Sequence, residues 1–175
     1  MTQNIILTGF MGAGKTTIGR LVTAELQRDF VDMDTLIEQR QGRAISQIFA
    51  ERGEPYFRQL EADLCRELAA RPGVVIATGG GALVPEPNLR VMERSGWVIC
   101  LDCAPEVLWQ RIGHSQNRPM LAEHDESRLA RLAALLERRG LAYSRIERHL
   151  DVTRLSPEEA ARQICELVNE VEKSK

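Results

Sequence analysis

Gly9-Phe10-Met11-Gly12-Ala13-Gly14-Lys15-Thr16 fits the pattern GxxxxGK[ST] at each fixed position, and its surroundings restrict the fold more than any other stretch of the chain. The run Ile5-Ile6-Leu7-Thr8 before it reads as a buried strand, and after it Ile18, Leu21, Val22 and Leu26 recur at helical spacing. A glycine-rich loop between strand and helix can wrap backbone N–H groups around a polyphosphate without Cβ clashes, and the helix N-terminus adds partial positive charge. Lys15 can reach the β- and γ-phosphates, while the Thr16 hydroxyl can ligate Mg²⁺. A glycine turn that merely ended a strand would need none of this register. The expected ligand is a nucleoside triphosphate.

The same alternation runs through the rest of the chain. Asn4–Thr8, Asp29–Asp32, Val74–Thr78, Trp97–Asp102 and His149–Thr153 are β-rich runs separated by longer helical patterns. That order predicts an α/β fold of three layers, with five parallel strands covered by helices on both faces. At 175 residues, with no repeat, linker or low-complexity tract, the chain is expected to form a single domain over 1–175. The segment from Thr35 to Ala70 exceeds what one crossover helix needs and is broken near Gly42 and at Gly53-Glu54-Pro55, so it reads as a substrate-binding excursion. A second excursion, Gly113 to Ser127, is polar and poor in apolar anchors, as expected of a lid. Ser156-Pro157-Glu158-Glu159 starts the C-terminal helix with an N-cap, a proline at N1 and a capping-box Glu.

Composition excludes several classes of partner. A formal net charge of −2 gives no field for nucleic acid or an anionic membrane, and no run reaches the length of a membrane span. A cytoplasmic location is the default, since the first strand leaves no room for a signal peptide. Cys65, Cys100, Cys103 and Cys165 read as buried structural thiols, and His114, His124 and His149 show no metal-ligand spacing, so no transition-metal site is expected.

The chemistry-bearing residues lie at predicted strand ends. Asp32 and Asp34 close the second strand, where ligands bind in open α/β sheets. Strand alternation would send both carboxylates the same way, one toward Mg²⁺ through water and one toward the proton of an acceptor hydroxyl. Asp102, ending Val98-Ile99-Cys100-Leu101, competes for the metal. Thr78-Gly79-Gly80-Gly81 holds more glycine than a turn requires, which points to close backbone approach by a ligand. Arg58, Arg118 and the pair Arg138-Arg139, which ends a long helical pattern beginning near Asp125, become ligands only if they converge on one anion, which spacing alone does not show.

Together these residues resemble the shikimate kinases, within the nucleoside-monophosphate-kinase-like group of P-loop enzymes. The resemblance covers nearly the whole chain and rests on Gly9–Thr17 with Ile18-Gly19-Arg20, Asp32-x-Asp34, Ile37-Glu38 with Gly42-Arg43-Ala44-Ile45, Ile48-Phe49, Gly53-Glu54 with Phe57-Arg58-x-x-Glu61, Thr78–Gly81 and Arg118-Pro119. It implies ATP-dependent phosphorylation of the 3-hydroxyl of shikimate, in aromatic amino-acid biosynthesis, with Mg²⁺ as cofactor and a monomeric enzyme. On it, Gly12, Ala13, Gly14, Lys15, Thr16 and Thr17 bind ATP, Thr16 and Asp32 serve the metal, and Arg111, Ser156 and Pro157 flank the adenine. Asp34 becomes the base, and Lys15 and Arg118 act with it on the phosphoryl group in flight. Arg58, Arg139 and Gly79–Gly81 hold the acceptor, Glu61 orients Arg58, and Phe49 and Phe57 wall the ring.

This chain departs from the family pattern at two places. The family often reads Arg-x-Pro-Leu-Tyr where this chain has Arg139-Gly140-Leu141-Ala142-Tyr143, which makes Arg138 a rival for Arg139. Met120 stands where Leu is common, a volume-conserving exchange. The rival readings are a gluconate or other small-metabolite kinase and a nucleotide-dependent switch or inactive nucleotide-binding module. The triple glycine and the Phe57–Glu61 helix disfavour the first; retention of Asp34 and lack of an NKxD motif disfavour the second.

Overall fold

The computed structural model describes residues 2–113 and 125–173. Its sheet has five strands in the order β2-β3-β1-β4-β5, namely β1 (Asn4–Gly9), β2 (Phe30–Asp32), β3 (Val75–Ala77), β4 (Gly96–Asp102) and β5 (Arg148–Asp151). Every pairing is parallel. The central strand, β1, is buried along its whole length, with the apolar run Ile5-Ile6-Leu7 at its middle, as expected where helices cover both faces of a sheet.

The helices divide between the faces by connection geometry. From β1 the chain passes through α1 (Lys15–Leu26) to β2, then returns along the sheet through α2 (Met33–Gln41), α3 (Ile45–Ala69) and α4 (Glu86–Ser95). Right-handed crossovers running in opposite directions along a sheet fall on opposite faces. Accordingly α1 packs on α7 (Pro157–Lys173), and α3 packs on α4. Ile5, Ile6, Leu7, Val22, Leu68, Ile76, Ile99 and Ile164 are among the residues of the shared core.

The breaks predicted in the long excursion are present. Gly42 ends α2 at φ 62°, and Gly53, at φ 77° and ψ 169°, divides α3. Three expectations need correction. The second strand stops at Asp32, whose carboxylate accepts the Thr35 N–H at 3.1 Å and so starts α2; Asp34 therefore stands in a helical turn, and strand alternation does not govern its direction. Helix α6 (Asp125–Tyr143) does not end at Arg138-Arg139 but continues through Gly140 to Tyr143, because the Tyr143 ring is buried and anchored. Cys65, Cys100 and Cys165 are buried, but Cys103 is only half-buried. Between α5 (Pro105–Gly113) and α6, residues 114–124 of the expected lid, with Arg118, lie outside the described residues. Among the described residues no helix is long and apolar enough to cross a membrane.

Candidate active site

The C-terminal end of β1 opens into the phosphate loop. Gly12 and Gly14 adopt φ 85° and 95°, a region that L side chains rarely enter. Gly14 is the N-cap of α1 and no side chain caps that end, so the first-turn N–H groups are offered to an anion. The loop rests on α5: a Cβ at Gly12 would stand 3.0 Å from Ile112 Cγ1. Ala13 is buried, whereas Thr16 and Thr17 are exposed. Lys15, 9% exposed, donates through Nζ to the carbonyls of Gly9 and Phe10, each at 2.9 Å. Its ammonium is thereby held over the loop.

Thr16 Oγ1 donates to Asp32 Oδ2 at 2.6 Å. A hydroxyl and a carboxylate meeting beside the loop are hard oxygen donors, the set that suits Mg²⁺. Asp32 thus does two jobs, capping α2 with one oxygen and meeting Thr16 with the other. The rival Asp102 is engaged elsewhere, with Oδ2 2.7 Å from His149 Nδ1.

The glycines after β3 explain themselves only in three dimensions. None of Gly79, Gly80 and Gly81 adopts the left-handed φ that demands glycine, so their purpose is space. A Cβ on Gly79 would stand 2.6 Å from Asp34 Oδ1 and 2.9 Å from Glu61 Oε1. On Gly80 it would stand 2.8 Å from Arg139 Nη1 and 3.5 Å from Gly9 O, and on Gly81 2.6 Å from Arg58 Nη1. Two acids and two arginines from three helices therefore close over one glycine tract that touches the phosphate loop. Gly79→Ala is expected to displace the Asp34 carboxylate and lower turnover by about 10–10²-fold, since misplacement near 1 Å has effects of that order. Unchanged kcat in that variant would show that the acid has room to spare.

Each arginine in this convergence is held differently. Arg58 donates through Nη1 to Glu61 Oε2 at 2.5 Å and through Nη2 to Glu54 Oε1 at 2.9 Å. Arg139 is 6% exposed, lies over the Phe10 ring at 5.2 Å, and its buried Nη1 has no hydrogen-bond partner among the described residues. Such a group is poised to donate to a ligand carboxylate or hydroxyl. Arg138 is exposed, which settles which arginine faces the glycines. Phe49 and Phe57 pack with tilted rings, centroids 4.8 Å apart and planes at 43°, and the Arg58 guanidinium lies 5.5 Å over the Phe57 ring.

Glu61 has a side chain only 2% exposed. Burial pushes its carboxyl up to about 7, against the opposing Arg58 guanidinium, with the Asp34 charge adding to the rise. A carboxyl raised on folding stabilises the native state fully below its unfolded value, and that contribution is lost as pH rises through the folded value. Between pH 4.5 and about 7 the protein should lose stability relative to Glu61→Gln, which cannot ionise. Urea midpoints of both proteins at pH 5 and pH 8 test this; parallel pH slopes would refute it.

Sequence reading missed Tyr143 as a site residue. Its hydroxyl donates to the Gly80 carbonyl in a short hydrogen bond from the last residue of α6, one turn beyond Arg139. Burial pushes the phenol up to about 12, against the opposing Arg139 charge, so the proton stays in place to donate. Tyr143→Phe should loosen the glycine tract, raising KM for the acceptor about fivefold for a lost bond worth roughly 1 kcal/mol, with kcat changed less. Equal KM values would remove Tyr143 from the site.

The residues expected at the adenine lie to one side. Arg111 is exposed on α5 and directs Nη1 to Cys103 Sγ at 3.8 Å. Ser156 and Pro157 start α7, where Ser156 Oγ accepts the Glu159 N–H at 3.1 Å and Glu159 Oε2 accepts the Ser156 N–H at 2.8 Å. The Ala104 N–H donates to Thr153 Oγ1 at 3.0 Å and ties the turn before α5 to the turn before α7. Arg111 thus meets Cys103 and Ser156 caps α7, beside the two segments that this bond ties together.

Comparison with known proteins agrees with this geometry. The shikimate kinase family model matches residues 11–169. A shikimate kinase of Thermodesulfovibrio yellowstonii is 38% identical over 163 residues, covering 93% of this chain and 92% of the relative. The structure of shikimate kinase from Acinetobacter baumannii in complex with shikimate superposes with a TM-score of 0.91 at 35% identity, covering 98% of this chain and 96% of that one. A gluconokinase from Sinorhizobium meliloti superposes at a TM-score of 0.61 with 15% identity, covering 98% of this chain and 94% of that one, which is a likeness of fold alone. Strand order, phosphate loop and family match therefore agree: the chain belongs to the shikimate kinase family.

Proposed function

We propose that this chain transfers the γ-phosphoryl group of ATP to the 3-hydroxyl of shikimate. The observation that carries the reading is the closure of Asp34, Arg58 and Arg139 over Gly79–Gly81, against the phosphate loop. A small carboxylated polyol matches that donor set: a carboxylate for two guanidinium groups, hydroxyls for the backbone at Gly80, and a ring for Phe49 and Phe57. Full-length likeness to shikimate kinases, against fold-only likeness to a gluconokinase, supports the same acceptor.

On this reading the first-turn N–H groups of α1 and Lys15 bind the β- and γ-phosphates. Thr16 and Asp32 hold Mg²⁺, which neutralises charge on the phosphates when bound. Asp34 accepts the proton of the 3-hydroxyl as its oxygen attacks in line, without a covalent enzyme intermediate. Arg58, oriented by Glu61, and Arg139 fix the acceptor so that a single hydroxyl faces the phosphate. Arg118 adds positive charge to the group in flight, and Arg111 with the Ser156-Pro157 turn flanks the adenine. The protein acts as a cytoplasmic monomer with no nucleic acid or membrane partner, consistent with its net charge of −2.

ADP release measured in parallel with Mg-ATP and shikimate, gluconate or nucleoside monophosphates tests the assignment. Shikimate alone should stimulate release; no stimulation above the ATP-only rate would overturn it.

A further inference from the structure

His149 and Asp102 stand apart from the chemistry above. His149 Nε2 lies 3.0 Å from the Ile146 carbonyl, which can only accept, so Nε2 carries the proton of that bond. The other ring nitrogen, Nδ1, faces Asp102 Oδ2 at 2.7 Å. Nδ1 and Oδ2 thus stand side by side at the ends of adjoining strands, each with a lone pair that can ligate a cation. The second Asp102 oxygen is 3.5 Å from Cys100 Sγ. All three ligand atoms fall within 4.8 Å of one another.

We propose that Cys100, Asp102 and His149 form a binding site for a divalent metal ion of the zinc type, at the C-terminal ends of β4 and β5. Thiolate, carboxylate and imidazole are the ligands such ions take, and three protein ligands leave a fourth position open. A backbone carbonyl holding the outer N–H of the ring is the usual support of a metal-bound histidine. Ligand atoms around a tetrahedral ion stand roughly 3–4 Å apart, so small side-chain rotations suffice here. Cys100 is fully buried and anchors the site, while Asp102 and His149, with side chains 48% and 33% exposed, leave an entry path.

The sheet register supplies a separate observation. Thr8, Cys100 and His149 are neighbours across β1, β4 and β5, and Thr8 Oγ1 is fully buried with no hydrogen-bond partner among the described residues. A polar atom is thereby reserved on the same row as two of the ligands. Ligation through Cys100 Sγ displaces the thiol proton, which leaves to water. The site lies 47 residues apart in sequence between Asp102 and His149, which is why neither histidine spacing nor Cys100-x-x-Cys103 revealed it.

Co²⁺ is the probe, added to metal-free, reduced full-length protein whose phosphate loop is saturated with Mg-ADP. One equivalent should produce a near-ultraviolet thiolate-to-cobalt charge-transfer band, and one equivalent of Zn²⁺ should abolish it. The band should persist in Cys103→Ser and disappear in Cys100→Ser. Loss of a mere supporting partner costs about 10–100-fold in affinity, so His149→Ala should weaken Co²⁺ binding at least that much. Absence of the band, its persistence in Cys100→Ser, or unchanged affinity in His149→Ala would each overturn the site and leave a plain His149–Asp102 hydrogen bond. Should Cys100→Ser fail to fold, the partly exposed His149→Ala decides.

Discussion

Asp34→Asn is expected to lower kcat with shikimate by about 10²–10⁴-fold, the usual contribution of a positioned general base. The substitution keeps the shape of the side chain that fits above Gly79, where a Cβ would approach Oδ1 to 2.6 Å. It removes the negative charge and, with it, the capacity to take a proton. KM for shikimate should change far less, because Arg58 and Arg139 remain over Gly81 and Gly80. ATP affinity should change less than kcat, since the open N-terminus of α1 and the Thr16–Asp32 contact persist in the variant. The same variant removes a negative charge that raises Glu61, so the Glu61 carboxyl should titrate lower than in the parent protein. A steady-state comparison of kcat and KM, with nucleotide binding measured separately, tests all of this. Turnover within a few-fold of the parent would remove Asp34 as the base.

What could be read from the chain follows the distance over which each feature is encoded. The phosphate loop was legible because strand, glycines, Lys15 and the first turn of α1 are contiguous. The parallel sheet was legible because its strands are short apolar runs between helical patterns. The convergence at the glycine tract was not, since Asp34, Arg58, Gly81 and Arg139 come from separate elements whose meeting depends on strand order. The end of α6 was misplaced in a smaller way: the helix runs past Arg138-Arg139, where the buried Tyr143 outweighs the low helix propensity of Gly140. Tyr143 acts on a carbonyl 63 residues away, and no local pattern marks it. The direction of Asp34 failed for the opposite reason, a local one. Asp32 caps α2 so early that the strand geometry assumed for the pair never reaches Asp34.

Arg118→Ala should produce the largest loss, about 10³–10⁵-fold in kcat, the range that a positioned arginine supplies in phosphoryl transfer. The charge arrangement among the described residues explains why another cation is needed. Arg58 is already bound to Glu54 and Glu61, so little of its charge is left for a phosphoryl group. Arg139 lies over Phe10 beside Gly80, on the acceptor side. Lys15 is held at the Gly9 and Phe10 carbonyls, and on the proposed reading it serves the β- and γ-phosphates rather than all three oxygens of the moving group. The remaining candidate from the sequence is Arg118, next to Pro119 and between α5 and α6. Because its charge matters most while the phosphoryl group is in flight, ATP affinity should fall only a few-fold in the variant. Arg118→Lys separates charge from geometry: it keeps the cation but loses the planar fork, so it should recover part of the loss and not all. Nucleotide titration alongside single-turnover rates distinguishes the cases, and near-parental turnover in Arg118→Ala would assign the neutralising charge to Lys15 and the metal alone.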